Sequence, residues 1–307
     1  MLHFNEIKDC LKKNDISWKE NESMVHHTTF RIGGPAAIFL EPWSEQQISE
    51  ILRILDEKEC APVIIGRGSN LLVNDHGIDG AVLCLGEAFS EVSISEKYAQ
   101  KGKVVVFAQS GASLTKLCRF CLEQELTGLE FAYGIPGTIG GAVAMNAGAY
   151  GGEMKDVVVG VEHLTMGGVK QELSAAQADF SYRHSYYSDH ACCITGAYFA
   201  LEKGDKQAIR RLMDDYMQRR QFKQPSEFPS AGSTFKRPEG NYASALIDQC
   251  GLKGRSVGGA QVSEKHAGFV INTGSATAKD VLDLVDVIKK TVKEKTGYAL
   301  ECEIKLI

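Results

Sequence analysis

The sequence predicts an α+β protein built from a few amphipathic helices and many short strands. Apolar residues recur at helical spacing in three segments, at about residues 44–55, 205–222 and 277–295. Between them, short apolar strands are separated by glycine turns, without the regular alternation of strand and helix that is typical of a doubly wound sheet. Two glycine-rich segments interrupt this pattern: GRGSN at 66–70 and GIPGTIGGAVAMNAGAYGG at 134–152.

Further elements follow in chain order. Ile7, Cys10 and Leu11 predict a short N-terminal helix, and a capping pattern at Ser44 and Gln47 begins the next helix. A helix is also expected at about 114–126. The remaining apolar runs predict strands: PVIIG, LLVND, AVLCL, VVVFAQ, VVVGVEHLTM, ITGAYFALE and the closing ALECEIKLI.

The bulk composition excludes several classes of protein. The 307 residues allow two or three domains, and 44% hydrophobic with 24% charged residues is ordinary for a globular protein. A net charge of −5 argues against binding nucleic acid, and no apolar run is long enough to span a bilayer. The first fifteen residues lack a secretory pattern, and the nine scattered cysteines favour a reduced cytoplasm. We expect a cytoplasmic protein without a membrane or metal partner.

The cysteines include one C-x-x-C pair, Cys118 and Cys121. No second pair completes a zinc site, and the neighbouring apolar residues favour packing in a buried helix.

The proline-bearing segment KQPSEFPSAGS marks a domain boundary. We predict three units: residues 1–83 together with a closing strand at 300–307, residues 84–222, and residues 223–299.

The longer glycine segment raises the question of why an ordered region contains seven glycines in nineteen residues. Each glycine inside a regular element costs roughly 0.5–1 kcal/mol relative to alanine. A flexible linker would be polar, whereas this segment contains Ile135, Ile139 and Val143. Two interpretations stay open: backbone that lies directly against a ligand, and tight turns inside a close-packed sheet.

The shorter glycine segment, GRGSN, follows a predicted strand, but neither the dinucleotide-binding G-x-G-x-x-G nor the P-loop pattern occurs. Its backbone N–H groups could form an anion-binding nest, with Ser69 and Asn70 as additional donors. Alone, it is equally consistent with a structural turn. The two glycine segments together favour a large ligand with a diphosphate that lies along strands and loops.

Three further positions carry candidate chemistry. Arg183 lies among tyrosines in SYRHSYY and could bind a carboxylate or phosphate, or stack at the surface. Ser233, in PSAGSTFKRP, is either a turn serine or a group near an anionic substrate. Glu301 and Glu303 share one face of the closing strand, which is either a solvated edge or a place for a buried carboxyl of raised pKa that acts as an acid.

Taken together, these segments resemble the UDP-N-acetylenolpyruvoylglucosamine reductase family, from about residue 28 to residue 305. The chain is similar to the shorter, type II form, because no extra tyrosine-bearing loop separates YRHSYY from ITGAY. The matching segments are TTFRIGGPA, GRGSNLLV, TGLEFAYGIPGTIGGAVAMNAGAYGGE, FSYRHSYY, PSAGSTFKRP, VGGAQVSEKHAGFVIN and LECEI.

The resemblance implies an FAD-binding fold of the vanillyl-alcohol oxidase (PCMH) type in two subdomains, with a smaller α/β substrate-binding domain. It implies FAD as cofactor and NADPH as co-substrate, and we expect a monomer. The positions that match the cofactor-binding motifs are Arg31, Ile65, Gly66, Arg67, Gly68, Ser69, Asn70, Gly134, Ile135, Pro136, Gly137, Gly140, Gly141, Asn146, Ala147 and Gly148.

The resemblance also implies the reaction, which is reduction of UDP-N-acetylglucosamine enolpyruvate to UDP-N-acetylmuramate for peptidoglycan synthesis. Arg183 matches the arginine near the substrate carboxylate, Ser233 the serine that protonates the enol intermediate, and Glu303 the catalytic glutamate. The positions that match substrate-binding residues are Lys223, Arg237 and His266. Some members of the family have asparagine at the Arg237 position and glutamine at the His266 position.

Two other classes stay open at this point. A flavin oxidase or dehydrogenase of the same wider fold would explain the glycine segments, but not AGSTFK together with LECEI. A non-catalytic nucleotide-sugar binder would explain the ligand surface without redox chemistry.

Overall fold

The computed structural model describes residues 4–307, and the chain divides into two compact units that are each discontinuous in sequence. Residues 21–37 and 68–79 belong to the same unit as the C-terminal 89 residues, 219–307. The three-unit division drawn from the sequence stays a prediction. Unit 1 comprises Met1–Glu20, Ile38–Arg67 and Gly80–Gln218, and unit 2 comprises Asn21–Ala37, Gly68–Asp79 and Arg219–Ile307.

Among the described residues, the helices occur where the apolar periodicity predicts them, with three additional short ones. They are α1 (Phe4–Lys13), α2 (Glu45–Glu57), α3 (Leu114–Glu123), α4 (Ile139–Ala144), α5 (Tyr186–Asp189), α6 (Lys206–Lys223), α7 (Ala243–Gln249) and α8 (Ala278–Thr296), with 3-10 turns at Met24–His26, Glu87–Phe89, Glu130–Ala132 and Met154–Asp156.

The strands are mostly short. They are β1 (Lys19–Ser23), β2 (Pro35–Leu40), β3 (Val63–Ile65), β4 (Leu71–Leu72), β5 (Ile78–Cys84), β6 (Val92–Ser95), β7 (Lys103–Gln109), β8 (Leu126–Thr127), β9 (Gly148–Ala149), β10 (Gly152–Glu153), β11 (Val158–Thr165), β12 (Lys170–Ser174), β13 (Cys192–Lys203), β14 (Ser256–Val257), β15 (Ala260–Val262), β16 (Val270–Asn272) and β17 (Lys305–Leu306).

The largest sheet lies in unit 1 and is antiparallel, in the order β12-β11-β13-β7-β6, with β8 paired to the end of β13. A hydrophobic core formed by this sheet, α3 and α4 lies on one side. Cys118 and Cys121 are buried in that core, each 2% exposed, so the packing interpretation of this pair is confirmed. Burial in apolar surroundings raises the pKa of the Cys121 thiol to about 12.

A second, four-stranded sheet has the order β1-β2-β5-β3, with β3 and β5 parallel. Helix α2 begins at Ser44, whose hydroxyl accepts a hydrogen bond from the Gln47 N–H as the capping pattern predicts. The apolar faces of α1 and α2 pack in one core with Leu83 of β5, which explains their helical-period stripes.

Unit 2 contains a three-stranded antiparallel sheet, β14-β15-β16, with α7 and α8. Helix α8 begins at a reciprocal capping box between Thr277 and Asp280 and ends at Gly297, which has the left-handed φ of 80° that favours glycine. Its apolar stripe is fully buried in the unit 2 core. These boundaries agree with the sequence-based expectation within two residues.

The C-terminal segment differs from its prediction. Of ALECEIKLI, only Lys305–Leu306 forms a regular strand, parallel to β4, and Cys302 makes an isolated bridge to Phe235. Elsewhere the bonding partners change along the segment: the Glu301 carbonyl accepts from the Lys236 N–H, and the Glu303 N–H donates to the Thr234 carbonyl, so that a continuous ladder does not form.

Among the described residues 4–307, no helix is long and apolar enough to cross a membrane.

Candidate functional site

The longer glycine segment is ordered backbone fixed to the end of strand β7. The N–H groups of Ile139 and Gly140 donate to the carbonyls of Ala112 and Ser110, both at 2.9 Å. The segment then forms helix α4 and the tight hairpin β9–β10. The sequence interpretation of loops and strands did not anticipate α4, because the two glycines at 140 and 141 disfavour a helix.

Space around the glycines separates those needed for packing from those open to a ligand. A Cβ at Gly66 would lie 2.0 Å from the Thr138 hydroxyl oxygen, and one at Gly140 would lie 2.9 Å from the Ser110 Cβ. A Cβ at Gly141 would meet only the Thr138 hydroxyl, at 3.8 Å, and Gly141 is exposed. Close packing thus explains some glycines, while the open backbone at Gly141 leaves room for a ligand, and the ligand-contact interpretation stays a prediction.

Arg183 lies at the tip of a tight turn in unit 1. Ser181 and His184 exchange backbone hydrogen bonds of 3.1 and 3.2 Å, so Tyr182 and Arg183 are the central residues. Arg183 has a φ of 55°, a left-handed conformation uncommon for a residue with a Cβ. Its guanidinium carbon is 5.4 Å from the centre of the Tyr182 ring, within cation–π range. Backbone strain of this kind clusters at functional sites.

Asn146 joins the glycine segment to this turn. Its side-chain nitrogen donates to the Ser181 carbonyl at 2.9 Å and to a Glu153 carboxylate oxygen at 2.6 Å, and its side-chain oxygen accepts from the Lys155 N–H at 2.9 Å. The residue is 0% exposed. Both amide hydrogens are therefore used within the protein, and the predicted cofactor role of Asn146 stays a prediction.

In unit 2, three predicted motifs are joined through the C-terminal segment. The Glu303 N–H donates to the Thr234 carbonyl at 2.9 Å, beside Ser233. The Glu303 carbonyl accepts from the Asn70 side-chain nitrogen at 3.0 Å, and the Lys305 N–H donates to the Asn70 carbonyl at 2.9 Å. These bonds use only backbone groups of Glu303 and Thr234, so neither the Glu303 carboxylate nor the Ser233 hydroxyl takes part in them.

The loop before Asn70 is tightly packed. Gly68 has a φ of 62°, and a Cβ there would lie 2.2 Å from the His27 carbonyl oxygen. Thr29 donates its N–H to the Gly68 carbonyl at 3.4 Å and its hydroxyl to the Ser230 carbonyl at 2.7 Å. Gly68 is thus required by conformation and by packing. The same contacts fix the Ser69–Asn70 backbone, and they fix residue 230 just before the serine motif.

Ser233 is half-buried, with a glycine before it and a buried threonine after it. Gly232 has a φ of 76°, and a Cβ there would meet only the Ser69 carbonyl, at 4.0 Å. Thr234 is buried, donates its N–H to the Gly268 carbonyl at 2.9 Å, and accepts from the Val270 N–H at 3.0 Å. The serine thus follows an open turn and precedes a fixed residue.

The predicted substrate-binding residues, Lys223, Arg237 and His266, all lie in unit 2. Burial lowers the pKa of His266, and the positive charges of Lys253 and Lys223 lower it further. The Gly268 N–H donates to His266 Nδ1 at 3.1 Å, so the neutral ring carries its hydrogen on Nε2. Arg237 is exposed, and its guanidinium carbon is 3.9 Å from the centre of the Tyr242 ring.

The structure thus brings the predicted residues into two groups. Ile65, Gly66, the glycine segment and Arg183 belong to unit 1, whereas Ser69, Asn70, Ser233 and Glu303 with the substrate-binding residues belong to unit 2. Arg31, an exposed residue with a φ of 54°, also lies in unit 2, and Arg67 is the last residue of its unit 1 segment.

Sequence reasoning missed Ser185, the buried N-cap of α5. Its hydroxyl donates to the Ala144 carbonyl at 2.7 Å. The S-x-x-S spacing of Ser185 and Ser188, which form a reciprocal capping box, was the available signal.

Two family models match the chain. Residues 36–174 match a model described as FAD binding domain, and residues 224–307 match one described as UDP-N-acetylenolpyruvoylglucosamine reductase, C-terminal domain. The UDP-N-acetylenolpyruvoylglucosamine reductase of Clostridium novyi (strain NT) is 46% identical over 302 residues, 98% of this chain and 95% of the relative.

Solved structures agree. The UDP-N-acetylenolpyruvylglucosamine reductase of Thermus caldophilus is similar with a TM-score of 0.77 and 33% identity, over 95% of this chain and 99% of that one. Berberine bridge enzyme from Eschscholzia californica matches 65% of this chain and 44% of its own, with a TM-score of 0.51 and 16% identity. The second likeness concerns the fold alone. The predicted α+β class with an FAD-binding fold is confirmed, and the open backbone at Gly141 fits the cofactor.

Proposed function

The chain belongs to the UDP-N-acetylenolpyruvoylglucosamine reductase family, and from that premise we propose that it uses NADPH and FAD to reduce UDP-N-acetylglucosamine enolpyruvate to UDP-N-acetylmuramate. The observation that carries the proposal is the joining of three motifs in unit 2: Glu303 is hydrogen-bonded both to Asn70 of the glycine loop and to Thr234 beside Ser233. An acid, a hydroxyl and a phosphate-binding loop are the groups that this reaction requires.

When bound, FAD supplies the hydride chemistry that protein side chains cannot perform. The residues that would hold it are those of the two glycine segments, Ile65–Asn70 and Gly134–Gly148. Their bare backbone and exposed N–H groups suit a flavin and its diphosphate.

The remaining chemistry belongs to side chains. Hydride addition to the terminal carbon of the enolpyruvyl group places negative charge on the substrate carboxylate. Arg183, a fixed cation, stabilises that charge. Ser233 then gives a proton to the adjacent carbon; a serine hydroxyl is a weak acid, but an enolate carbon is a strong base, and position decides the outcome. Glu303 assists in its protonated form or by sharing a proton with the enolate.

The nucleotide-sugar end of the substrate is anionic. Lys223 and Arg237 supply positive charge to it, and the neutral His266 donates a hydrogen bond from Nε2, since its lowered pKa keeps it uncharged near neutral pH. The enzyme acts as a monomer in the cytoplasm, where peptidoglycan precursors are made, without a nucleic-acid or membrane partner.

An anaerobic titration tests the proposal. We expect the purified protein to be yellow, to lose its flavin absorbance on addition of NADPH, and to regain it on addition of one equivalent of UDP-N-acetylglucosamine enolpyruvate. A colourless protein would support a non-catalytic binder. Reoxidation by oxygen alone, and not by this substrate, would support an oxidase of the same fold and contradict the proposal.

A further inference from the structure

The turn that carries Arg183 is fastened to the glycine segment by two buried side chains to which no catalytic role has been assigned. Ser185 donates its hydroxyl to the Ala144 carbonyl at 2.7 Å. Asn146 donates its side-chain amide to the Ser181 carbonyl at 2.9 Å. Both donors are 0% exposed. The two bonds attach the turn at positions two residues before and two residues after Arg183.

The conformation of Arg183 shows why such attachments are needed. In an L-residue the left-handed conformation, here with a φ of 55°, costs roughly 1–2 kcal/mol, and the turn alone does not favour it. Such a conformation persists only where the surroundings over-determine it. The backbone bonds between Ser181 and His184 close the turn, but they do not attach it to anything else. Ser185 and Asn146 supply that attachment.

Both attachments have a single stable geometry. The side-chain hydrogen-bonding groups of Asn146 are occupied by Ser181, Glu153 and Lys155, and Ser185 both accepts from the Ser188 N–H and donates to Ala144. Fully satisfied buried networks are rigid, because every alternative leaves a buried polar group without a partner.

We propose that Ser185 and Asn146 are positioning residues for Arg183, and that they hold its guanidinium in the same frame as the glycine segment. The inference rests on the proposed function, in which the glycine segment holds the flavin and Arg183 the substrate carboxylate. The distance from hydride donor to acceptor carbon then depends on both attachments. A misplacement of about 1 Å in such an arrangement can lower a rate by roughly 10²-fold.

The test compares Ser185→Ala with Ser188→Ala. Ser188 lies in α5 and is exposed; its hydroxyl accepts the capping-box bond from the Ser185 N–H at 3.1 Å and reaches the Ala144 carbonyl only at 3.4 Å. In Ser185→Ala we expect normal FAD content and normal flavin reduction by NADPH, but roughly 10- to 100-fold slower reoxidation by UDP-N-acetylglucosamine enolpyruvate, with a higher half-saturating concentration. Ser188→Ala loses the bond from the Ser185 N–H but keeps the buried bond from the Ser185 hydroxyl to Ala144, so it should slow reoxidation much less than Ser185→Ala does. Ser185→Ala should lose some thermal stability, because a buried hydrogen bond is removed. Loss of FAD in Ser185→Ala but not in Ser188→Ala would mean that Ser185 supports the fold, and would overturn the inference.

A double-mutant cycle decides whether Ser185 acts through Arg183. In an Arg183→Ala background, Ser185→Ala should slow reoxidation no further, because the group that it positions is gone. If the substrate reoxidises the wild type but the effects of the two substitutions are additive, the positioning inference alone is overturned. A wild type that the substrate cannot reoxidise would overturn the proposed function as well.

Discussion

The two groups of site residues are held in place by different kinds of bond. In unit 1, the Arg183 turn and the glycine segment are joined by side chains, chiefly Ser185 and Asn146. In unit 2, Glu303 is joined to Thr234 through backbone groups, and Asn70 adds one side-chain bond. The residue with a positive φ next to Ser233 is a glycine, Gly232. In the unit 1 turn, the residue with a positive φ is Arg183 itself.

This difference predicts how each group responds to substitution. Removing a side chain from unit 2 should remove its chemistry and leave the geometry intact, because the backbone bonds remain. Removing a non-catalytic side chain from unit 1 should disturb the geometry of a neighbouring catalytic group.

The largest effect is expected for Ser233→Ala. Because protonation follows hydride transfer to the substrate, flavin reduction by NADPH should stay near normal, while reoxidation by the substrate slows by the ~10²–10⁴-fold typical of a lost general acid. Stopped-flow absorbance of the flavin separates the two half-reactions. Equal slowing of both would mean that Ser233 shapes the site, and slowing of neither would mean that the proton comes from another group.

Valine at two adjacent glycines should separate cofactor binding from packing. Gly141→Val points into open space, so the protein should fold but lose FAD. Gly140→Val meets the Ser110 Cβ and should destabilise the fold by about 1–3 kcal/mol through overpacking. Flavin absorbance measures the first effect, and the melting temperature of the flavin-free proteins the second. A Gly141→Val variant that keeps its full yellow colour would show that this residue does not contact the cofactor.

A side-chain network around Glu162, away from the site, should make the stability of unit 1 depend on pH in the acid range. Burial alone would raise the pKa of Glu162, but hydrogen bonds from Tyr198, Lys97 and Lys170 lower it from 4.5 to about 2. Because the folded pKa is lower than the unfolded one, the stabilisation is present above pH ~4.5 and is lost as the pH falls towards 2.

Between about pH 5 and 3, this group should lower the free energy of unfolding of the wild type by roughly 2 kcal/mol, and Glu162→Gln should lack that decrease. Urea unfolding at several pH values gives both curves. Parallel curves for the two proteins would show that this carboxylate is not the titrating group.

The smallest effect concerns the turn conformation of Arg183. Arg183→Gly and Arg183→Ala should both slow reoxidation by the substrate strongly, to similar measurable rates. The glycine variant should be more stable by up to about 1 kcal/mol, because only alanine keeps the left-handed strain. Urea midpoints compare the two. Equal midpoints would indicate that the turn relaxes once the guanidinium is gone.

The sequence predicted the structure well wherever a local pattern of residues determines a helix, its ends or a family motif. The apolar stripes predicted α2, α6 and α8, and the capping pattern at Ser44 predicted the start of α2, because capping depends on neighbours within one turn. The family motifs identified the fold and the cofactor.

Features that depend on tertiary contacts were not predictable. The backbone at Glu303 is not part of a regular strand. Its backbone hydrogen bonds go instead to Asn70 and Thr234, residues that are distant in sequence. The steric need for Gly66 depends on Thr138, and the role of Ser185 depends on Ala144. Periodicity cannot reveal such pairs.

The most direct test of the contrast between the two groups is the substrate-concentration dependence of flavin reoxidation in Ser185→Ala and Ser233→Ala, measured anaerobically on pre-reduced enzyme. We predict that Ser185→Ala raises the half-saturating substrate concentration, because it displaces Arg183, which we propose binds the carboxylate. Ser233→Ala should lower only the limiting rate, because it removes a proton donor and leaves the backbone frame intact. Identical behaviour of the two variants, or a raised half-saturating concentration in Ser233→Ala alone, would contradict the account.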